Sequence, residues 1–264
     1  MIQIVELTKI FDKGTINEKV AVANVNLTFA AGEFVTIIGG NGAGKSTLLN
    51  CLAGNYAVDK GIIRLDGKDI TNLPEYKRAR WIGRVFQDPS LGTAYDMTIE
   101  ENLAIAYHKN KSRGLQPGIR KKERQFFREK LAMLGLGLEN RLKDKVGLLS
   151  GGQRQALTLL MATIVTPRLL LLDEHTAALD PVTAKKVLQL TRKLAENKEI
   201  CTLMITHNMQ EALDIGTRTI MMHNGRVILD ISGEEREKMT VEKLMSQFER
   251  KSGSSLANDR MLLL

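Results

Sequence analysis

Residues 39–47 read GGNGAGKST, and this stretch decides how the rest of the chain is interpreted. It matches the pattern Gly-x-x-x-x-Gly-Lys-(Ser or Thr). The defining positions are Gly39, Gly44, Lys45 and Ser46. The apolar run FVTIIGG precedes the loop and the helically spaced KSTLLNCLAG follows it, so a strand–loop–helix unit is predicted. In such a unit, glycines let successive backbone N–H groups converge on a phosphate, and the helix N-terminus adds its dipole.

The loop also supplies side chains suited to a nucleoside triphosphate. Lys45 is expected to reach the β- and γ-phosphates, and the Ser46 hydroxyl to ligate Mg²⁺. Gly40 and Gly42 add flexibility within the loop. The predicted nucleotide contacts are Gly39, Asn41, Gly42, Gly44, Lys45, Ser46 and Thr47.

A second stretch, RLLLLDEH at residues 168–175, completes a nucleotide triphosphatase pattern. Four leucines predict a buried strand that ends at Asp173, where a carboxylate can hold Mg²⁺ through a water. Glu174 follows directly and could orient and deprotonate the attacking water. Alone, a leucine-rich strand ending in acids is common, but beside a phosphate-binding loop it indicates an NTPase.

Strand-like and helical segments alternate after residue 166, which favours an α/β fold with a mainly parallel sheet. The first third reads as strands and predicts an antiparallel β part, with a hairpin turning at Asp66-Gly67. A second hairpin is expected to turn at Asn224-Gly225. The predicted fold class is a P-loop NTPase core with an inserted helical subdomain. The predicted boundaries are 1–87 and 161–245 for the ATP-binding core, 88–160 for the helical subdomain and 246–264 for a polar C-terminal tail.

Composition fits a soluble globular protein, with 43% hydrophobic and 26% charged residues. The net charge of +8 is concentrated in residues 108–130, where nine basic residues stand against two acidic ones. This distribution argues against a nucleic-acid partner; it predicts either a solvated helix face or a surface for anionic lipid or an acidic protein. Cys51 and Cys201 are expected to be buried, reduced thiols. We see no secretory signal, and the apolar run from Ala156 is too short to span a bilayer.

LLSGGQ at residues 148–153 then becomes recognisable, because the chain resembles the ATP-binding subunit of ABC transporters. The resemblance covers nearly the whole chain, with six motifs in order, and implies ATP and Mg²⁺ as cofactors. Phe11 lies 28 residues before the phosphate loop, where the family has an aromatic ring that stacks on adenine. Gln87 in VFQDP matches the glutamine that links Mg²⁺ and the γ-phosphate to the helical subdomain. His207 in MITHN matches the histidine that contacts the γ-phosphate.

The resemblance implies a head-to-tail homodimer or pseudo-dimer, with each ATP between the phosphate loop of one subunit and the signature LSGGQ of the other. The residues implied to contact ATP across this interface are Ser150, Gly151, Gly152, Gln153 and Asp180. Ser150 and Gln153 also fit a helix capping box, which is compatible with the ATP contact. The implied catalytic residues are Glu174 and His207, and the implied Mg²⁺ ligands are Ser46, Gln87 and Asp173.

The resemblance also implies partners and a location. A separate membrane permease is required, with an extracytoplasmic substrate-binding protein, and the chain is expected at the cytoplasmic face of the cell membrane as a peripheral subunit. The sequence RQALTLLMATIVTP after the signature lacks the arginine-rich pattern that is usual in the family. It is similar to importer ATPases that work with a permease and a lipoprotein binding protein, some linked to aromatic amino acids. Import of a small solute such as an amino acid is therefore expected.

Alternatives remain at this level. A soluble ABC ATPase of iron–sulfur cluster assembly has similar length and motifs. ABC ATPases of DNA repair or the ribosome typically carry long insertions or tandem domains, whereas this chain has one of each motif. Phe11 could be a core residue at a strand end, Gln87 the start of a loop and His207 a satisfied histidine. His175 stands where the family commonly has proline, either tuning water activation or as a tolerated substitution.

Overall fold

The computed structural model describes residues 1–109, 118–195 and 198–252. In chain order its elements are β1 (Ile2–Phe11), β2 (Lys19–Phe29), β3 (Phe34–Ile38), α1 (Lys45–Ala53), β4 (Lys60–Leu65), β5 (Lys68–Asp69), α2 (Glu75–Arg78), β6 (Ile82–Val85), α3 (Ile99–His108), α4 (Lys121–Ala132), α5 (Gly151–Thr163), β7 (Leu169–Asp173), α6 (Pro181–Ala195), β8 (Cys201–Ile205), α7 (Met209–Ile215), β9 (Arg218–His223), β10 (Arg226–Ser232), α8 (Gly233–Glu237) and α9 (Val241–Ser252).

The chain divides into two compact units. Unit 1 comprises Met1–Arg78 and the segment from Lys198 onward, and unit 2 comprises Ala79–Asn197. This division does not coincide with the boundaries that we predicted for a helical subdomain at 88–160, which remain a prediction.

Unit 1 contains an antiparallel sheet in the order β2-β1-β4-β5 and a mainly parallel set in the order β10-β9-β3-β8. β3 pairs in parallel with β8 on one side and β9 on the other, and all five of its residues are buried. A strand buried on both faces needs a continuous apolar sequence, which FVTII provides apart from one threonine. β3 therefore delivers the 39–47 loop from the centre of unit 1.

Both predicted hairpins are present in unit 1. β4 and β5 pair across Asp66-Gly67, and β9 and β10 pair across Asn224-Gly225. The two residues of each turn have positive φ, as a two-residue turn matched to the strand twist requires. The sequence signal was local and strong, so the turns could be placed to the residue.

α9 extends into the segment predicted as a polar tail. It runs to Ser252, and its Leu244 and Phe248 are buried in a cluster with Ile38, Met209 and Met221. Apolar residues spaced three and four apart were the available signal for this helix. The remainder of the predicted tail lies outside the described residues.

Unit 2 contains the parallel pair β6–β7 and the helices α3–α6. Its core includes Leu103 of α3, Phe127 of α4 and Leu157 of α5. Glu100 accepts a hydrogen bond from the Arg124 guanidinium at 2.6 Å, which joins α3 to α4. α3, α4 and most of α5 lie within 88–160, the range predicted as helical, and much of its basic loop lies outside the described residues.

Both cysteines are buried and free of disulfides, as predicted. Burial raises the pKa of Cys51 to about 11 and that of Cys201 to about 12, so both thiols stay protonated at neutral pH. Within residues 1–109, 118–195 and 198–252, none of the helices has the length and apolar character that a bilayer span needs.

Candidate functional site

The 39–47 loop has a backbone that only glycine permits at two of its defining positions. Gly39 has φ +149°, and a Cβ there would lie 2.2 Å from the Met222 carbonyl oxygen. Gly44 has φ +100°, and a Cβ there would lie 2.3 Å from the Ala21 oxygen. The main chains of β9 and β2 therefore pack closely against the loop, and this packing determines the path of the loop into α1. The glycine pattern is explained by close backbone approach.

Lys45 lies within this loop. It is 5% exposed, and its ammonium donates hydrogen bonds to the carbonyls of Gly39 at 2.7 Å and Gly40 at 3.1 Å. α1 has no side-chain cap at its N-terminus and no acidic residue in its first turn. A cation and an uncapped helix N-terminus at one place favour an anion.

The other predicted loop contacts are placed at the loop surface. Asn41, Gly42 and Ser46 are exposed, and Thr47 is half-buried. Ser46 lies in the first turn of α1, directly after Lys45. The loop thus combines backbone donors, one ammonium and hydroxyl groups, as expected for a phosphate and its metal.

The opposite end of α1 is held by a residue that the sequence analysis did not identify. Arg78 is 1% exposed, and its Nη1 donates to the carbonyls of Cys51 and Leu52 at 2.7 and 2.8 Å. Its Nε and Nη2 donate to the carbonyls of Leu73 and Thr71, each at 2.7 Å. Burial lowers the pKa of Arg78. The guanidinium binds the carbonyl end of α1, where a cation opposes the helix dipole.

Two further predicted residues belong to unit 1. Phe11 is half-buried at the end of β1, with its ring edge-on to Tyr56 at 5.3 Å between centroids. His207 lies half-buried between β8 and α7, where Asn208 accepts a hydrogen bond from the Glu211 amide at 2.9 Å. Their roles toward a nucleotide remain predictions.

The signature stretch begins α5 in unit 2, and its predicted capping box is present. The Gln153 amide donates to Ser150 Oγ at 3.3 Å, and the Ser150 amide donates to Gln153 Oε1 at 3.2 Å. Ser150 and Gly151 are exposed, whereas Gly152 is buried. A Cβ on Gly152 would lie 1.9 Å from Thr183 Cγ2 of α6. Gly152 is therefore required by packing within the subunit.

Gln87 follows β6 and is exposed. The residues on either side of it are fixed: Phe86 accepts a hydrogen bond from Gln155 Nε2 at 3.1 Å, and Asp88 accepts one from the Ser90 amide at 2.8 Å. Gln87 therefore presents an amide on a short constrained connection between β6 and a 3₁₀ turn.

Asp173 and Glu174 occupy the end of β7. The Asp173 carboxylate lies 3.9 Å from Arg84 Nη2 of β6. Glu174 has φ +46°, a left-handed conformation that is unfavourable for a residue with a side chain. The chain turns sharply there, because the Ala177 amide donates to the Glu174 carbonyl at 3.0 Å. The sequence placed the acids correctly at a strand end but did not predict this turn.

The segment after Glu174 returns to α6. Asp180 begins this helix by accepting a hydrogen bond from the Thr183 amide at 3.1 Å, and hydrogen bonds from Thr183 lower its pKa. His175 is 2% exposed, and its Nε2 lies 2.9 Å from Thr191 Oγ1 in α6. Burial lowers the pKa of His175 to about 4, so the ring is neutral at pH 7. Its imidazole is directed into the interior of unit 2, which does not fit direct activation of a water.

The predicted residues are thus distributed over both units. The 39–47 loop, Phe11 and His207 belong to unit 1. The residues in unit 2 are Gln87, Ser150, Gly151, Gly152, Gln153, Asp173, Glu174 and Asp180.

Comparison with known families matches residues 22–177 to the family described as ABC transporter. The chain belongs to the ABC transporter family. The matched range includes the 39–47 loop, Gln87, the signature and Glu174, whereas Phe11, Asp180 and His207 lie outside it. As a member of this family, the chain is an ATP-binding protein and an ATPase, which confirms the activity predicted from its motifs.

Two relatives show how far the similarity extends. The tyrosine transport ATP-binding protein of Clostridioides difficile (strain R20291) is 47% identical over 94% of this ABC chain and 99% of the relative. The methionine import ATP-binding protein MetN of Rhizobium johnstonii is 36% identical over 86% of this chain and 60% of the relative. The chain therefore matches the first relative end to end and the second over little more than half its length.

Solved structures of ABC cassettes confirm the predicted α/β, P-loop NTPase fold class. A dimeric ATP-binding cassette in a post-hydrolysis state, bound to ADP and Pi, has a TM-score of 0.75 at 32% identity. The match covers 88% of this chain and 98% of that one. A nucleotide-free ATP-binding cassette from an ABC transporter has a TM-score of 0.74 at 28% identity. This match covers 90% of this chain and 93% of that one.

Proposed function

We propose that this chain is the ATP-hydrolysing subunit that drives a separate membrane permease for import of an aromatic amino acid. The observation that carries this proposal is the end-to-end similarity to a tyrosine transport ATP-binding protein. In this proposal the permease and the binding protein select the solute, and the chain supplies the energy of ATP hydrolysis.

The first half of the proposed ATP site is the loop at the start of α1. Lys45 binds the β- and γ-phosphates in exchange for its own loop carbonyls, while backbone N–H groups of the loop hold the β-phosphate. Phe11 stacks on adenine from the end of β1. Ser46, Gln87 and Asp173 supply hydroxyl, amide and carboxylate oxygens, the donor set that Mg²⁺ prefers. When bound there, Mg²⁺ neutralises charge on the phosphates.

The second half of the site comes from the other subunit of a head-to-tail dimer. Ser150 and Gly151 are exposed at the N-terminus of a 13-residue helix, which supports a contact with a phosphate outside the subunit. The proposed contact across the dimer also includes Gln153, Asp180 and the backbone of Gly152. Two-fold symmetry then gives two composite sites, which ATP closes and hydrolysis releases.

Two residues are proposed to act on the reaction itself. Glu174 orients the attacking water and accepts its proton, and His207 contacts the γ-phosphate. Gln87 reports the state of the γ-phosphate to the helices of unit 2. A consistent test is Glu174→Gln, which we expect to bind ATP, accumulate as a dimer and turn over at least about a hundredfold more slowly. Normal turnover by this variant would remove Glu174 from its role.

The helices of unit 2 are proposed to receive the permease at the cytoplasmic face of the membrane. Three large apolar residues of unit 2 are available for such a contact, because Leu91, Ile105 and Leu148 are 69%, 56% and 69% exposed. Exposed apolar side chains mark a protein contact where they form a contiguous patch. An extracytoplasmic substrate-binding protein completes the proposed complex.

Uptake of radiolabelled L-tyrosine by cells that lack this chain tests the proposal. We expect uptake to fall and to return with the wild-type chain but not with Glu174→Gln, while L-methionine uptake stays unchanged. Loss of methionine uptake instead would assign a different solute.

The alternative of iron–sulfur cluster assembly is not favoured by the transport proteins to which the chain is similar. Co-purification of the tagged chain with a membrane permease separates the two readings. Recovery only with a soluble scaffold protein would contradict the transport proposal.

A further inference from the structure

The loop from Glu174 to Asp180 is organised by its own hydrogen bonds. The Ala177 amide donates to the Glu174 carbonyl at 3.0 Å, and the Leu179 amide donates to the Thr176 carbonyl at 3.1 Å. Glu174, at the start of the loop, has φ +46°. A non-glycine residue keeps such a conformation only when its surroundings determine it. We therefore expect a nearby contact to hold Glu174 in this conformation.

One side chain in the loop is directed inward beside this position. His175 Nε2 lies 2.9 Å from Thr191 Oγ1, and both residues are buried. The Thr191 hydroxyl donates to the Val187 carbonyl at 2.9 Å, so it is left to accept from the imidazole. This assigns the proton of the neutral ring to Nε2. The hydrogen bond joins the residue next to Glu174 to the middle of α6.

The other end of the loop is joined to the same helix. Asp180 Oδ1 accepts a hydrogen bond from the Thr183 amide in the first turn of α6. The loop is therefore fastened to α6 at both ends, at Thr183 and two turns further along at Thr191. The inner attachment, at the residue next to Glu174, therefore restrains movement of the backbone there.

We propose that His175 is a positioning residue, which holds the Glu174 carboxylate in place through its hydrogen bond to Thr191. The inference rests on the proposed role of Glu174 in hydrolysis. Without the bond, the backbone at Glu174 relaxes toward an ordinary φ and the carboxylate moves away from the water that it orients. Displacement of a catalytic group by about 1 Å can reduce turnover by as much as a hundredfold.

The test compares two substitutions at Thr191 in the full-length chain with MgATP. Thr191→Val keeps the shape and removes the acceptor, whereas Thr191→Ser keeps the hydroxyl. We expect kcat to fall about tenfold or more in the valine variant and to stay within about twofold in the serine variant. Binding of a fluorescent ATP analogue should be unchanged in both variants, because all the residues proposed to bind the phosphates are retained. This split between kcat and affinity separates positioning from general loss of folding.

Thr202 provides a matched control for removal of a buried hydroxyl. It is fully buried in β8, and within the described part of the chain its hydroxyl has no hydrogen-bond partner. Thr202→Val should keep kcat within about twofold of wild type. An equal loss in Thr202→Val and Thr191→Val would overturn the proposal.

Substitutions at His175 decide the outcome if Thr191→Val does not fold. His175→Gln retains an N–H donor at a similar distance from the backbone, and His175→Leu removes it. We expect glutamine to retain most of kcat and leucine to lose about as much as Thr191→Val. Two further results overturn the proposal: equal kcat in both His175 variants, or additive losses when His175→Leu and Thr191→Val are combined.

Glu174→Gln, measured alongside, distinguishes the two possible failures. If it retains normal turnover, the proposed role of Glu174 is wrong and no positioning is required. If it is inactive while Thr191→Val and His175→Leu turn over normally, only the positioning by His175 is wrong. In the inactive Glu174→Gln background, Thr191→Val should cause no further decrease.

Discussion

The two glycine-containing stretches, 39–47 and 149–153, each lead into a helix, but the helices are anchored at opposite ends. α1 has no side-chain cap at its N-terminus, and its C-terminal carbonyls bind the buried guanidinium of Arg78. α5 is capped at its N-terminus by Ser150 and Gln153. The N-terminal amides of α1 can therefore bind a phosphate. In α5, only the N-terminal amides that do not take part in the capping box can do so.

The glycines differ in the same way. Gly39 and Gly44 are required because main-chain oxygens approach them from β9 and β2. Gly152 is required because Thr183 of α6 packs against it, whereas a Cβ on Gly151 would make only an ordinary contact, 3.7 Å from Leu179 Cδ2. Similar sequence patterns thus have different physical causes, which substitutions can separate.

The largest expected effect is at the anchored end of α1. Arg78→Met leaves four main-chain carbonyls, three of them in buried hydrogen bonds, without this donor and should lower the free energy of unfolding by about 3 kcal/mol. Urea denaturation measures this loss. Arg64 in β4 is exposed and serves as the matched control. Arg64→Met should change stability by no more than about 0.5 kcal/mol. An equally small effect of Arg78→Met would mean that α1 is not held from this end.

The second largest effect is expected at the N-terminus of α1, which no side chain caps. Lys45→Ala removes the ammonium proposed to bind two phosphates and should weaken ATP binding about a hundredfold, or about 2.7 kcal/mol. Binding of a fluorescent ATP analogue, measured with the thermal midpoint, is the appropriate readout. Unchanged affinity would contradict the assignment of this loop as the ATP site.

The sequence predicted those features that depend on neighbouring residues. The phosphate loop, the strand ending at Asp173, both two-residue hairpin turns and the capping box of α5 each rest on residues a few positions apart. The order of these segments also sufficed for the fold class, because strand and helix periodicities differ clearly. The apolar spacing of α9 was readable as well, but its polar surroundings led us to predict a tail.

The features that the sequence did not predict depend on contacts between distant residues. Nothing near Arg78 indicates that it binds carbonyls more than twenty positions earlier in the chain. His175 looked like a substitution beside the phosphates, but its partner is 16 residues away in α6. Gly152 was predicted to contact ATP, which remains a prediction, and nothing in its short spacing indicated that it also packs against Thr183 of α6. Tertiary packing, which short spacing does not encode, determines all three.

The signature glycines provide a paired test of this packing. Gly152→Ala places a methyl group 1.9 Å from Thr183 Cγ2 and should cost about 2 kcal/mol of stability. Gly151→Ala meets only an ordinary contact and should be neutral or stabilising by up to about 1 kcal/mol. Thermal unfolding of both variants measures the difference.

A second substitution checks the cause of that loss. Thr183→Ser removes the Cγ2 atom that meets the new methyl group, while the next nearest atom, Cβ, would be 3.3 Å away. Combined with Gly152→Ala, it should restore most of the lost stability. Failure to restore stability would show that backbone conformation, and not Thr183, determines the glycine at 152.

The smallest effect on stability is expected at Ser150, and it separates the two roles of that residue. Ser150→Ala removes the cap and should cost about 1 kcal/mol. Ser150→Asp keeps a good cap and should leave stability within about 0.5 kcal/mol of wild type, yet it introduces a negative charge where the neighbour's phosphate is proposed to bind. We expect Ser150→Asp to fold normally, to bind ATP as a monomer and to lose dimer-dependent hydrolysis. Full hydrolysis by this variant would mean that Ser150 only caps α5. Lost ATP binding by the monomer would place the residue at its own subunit's nucleotide instead of the neighbour's.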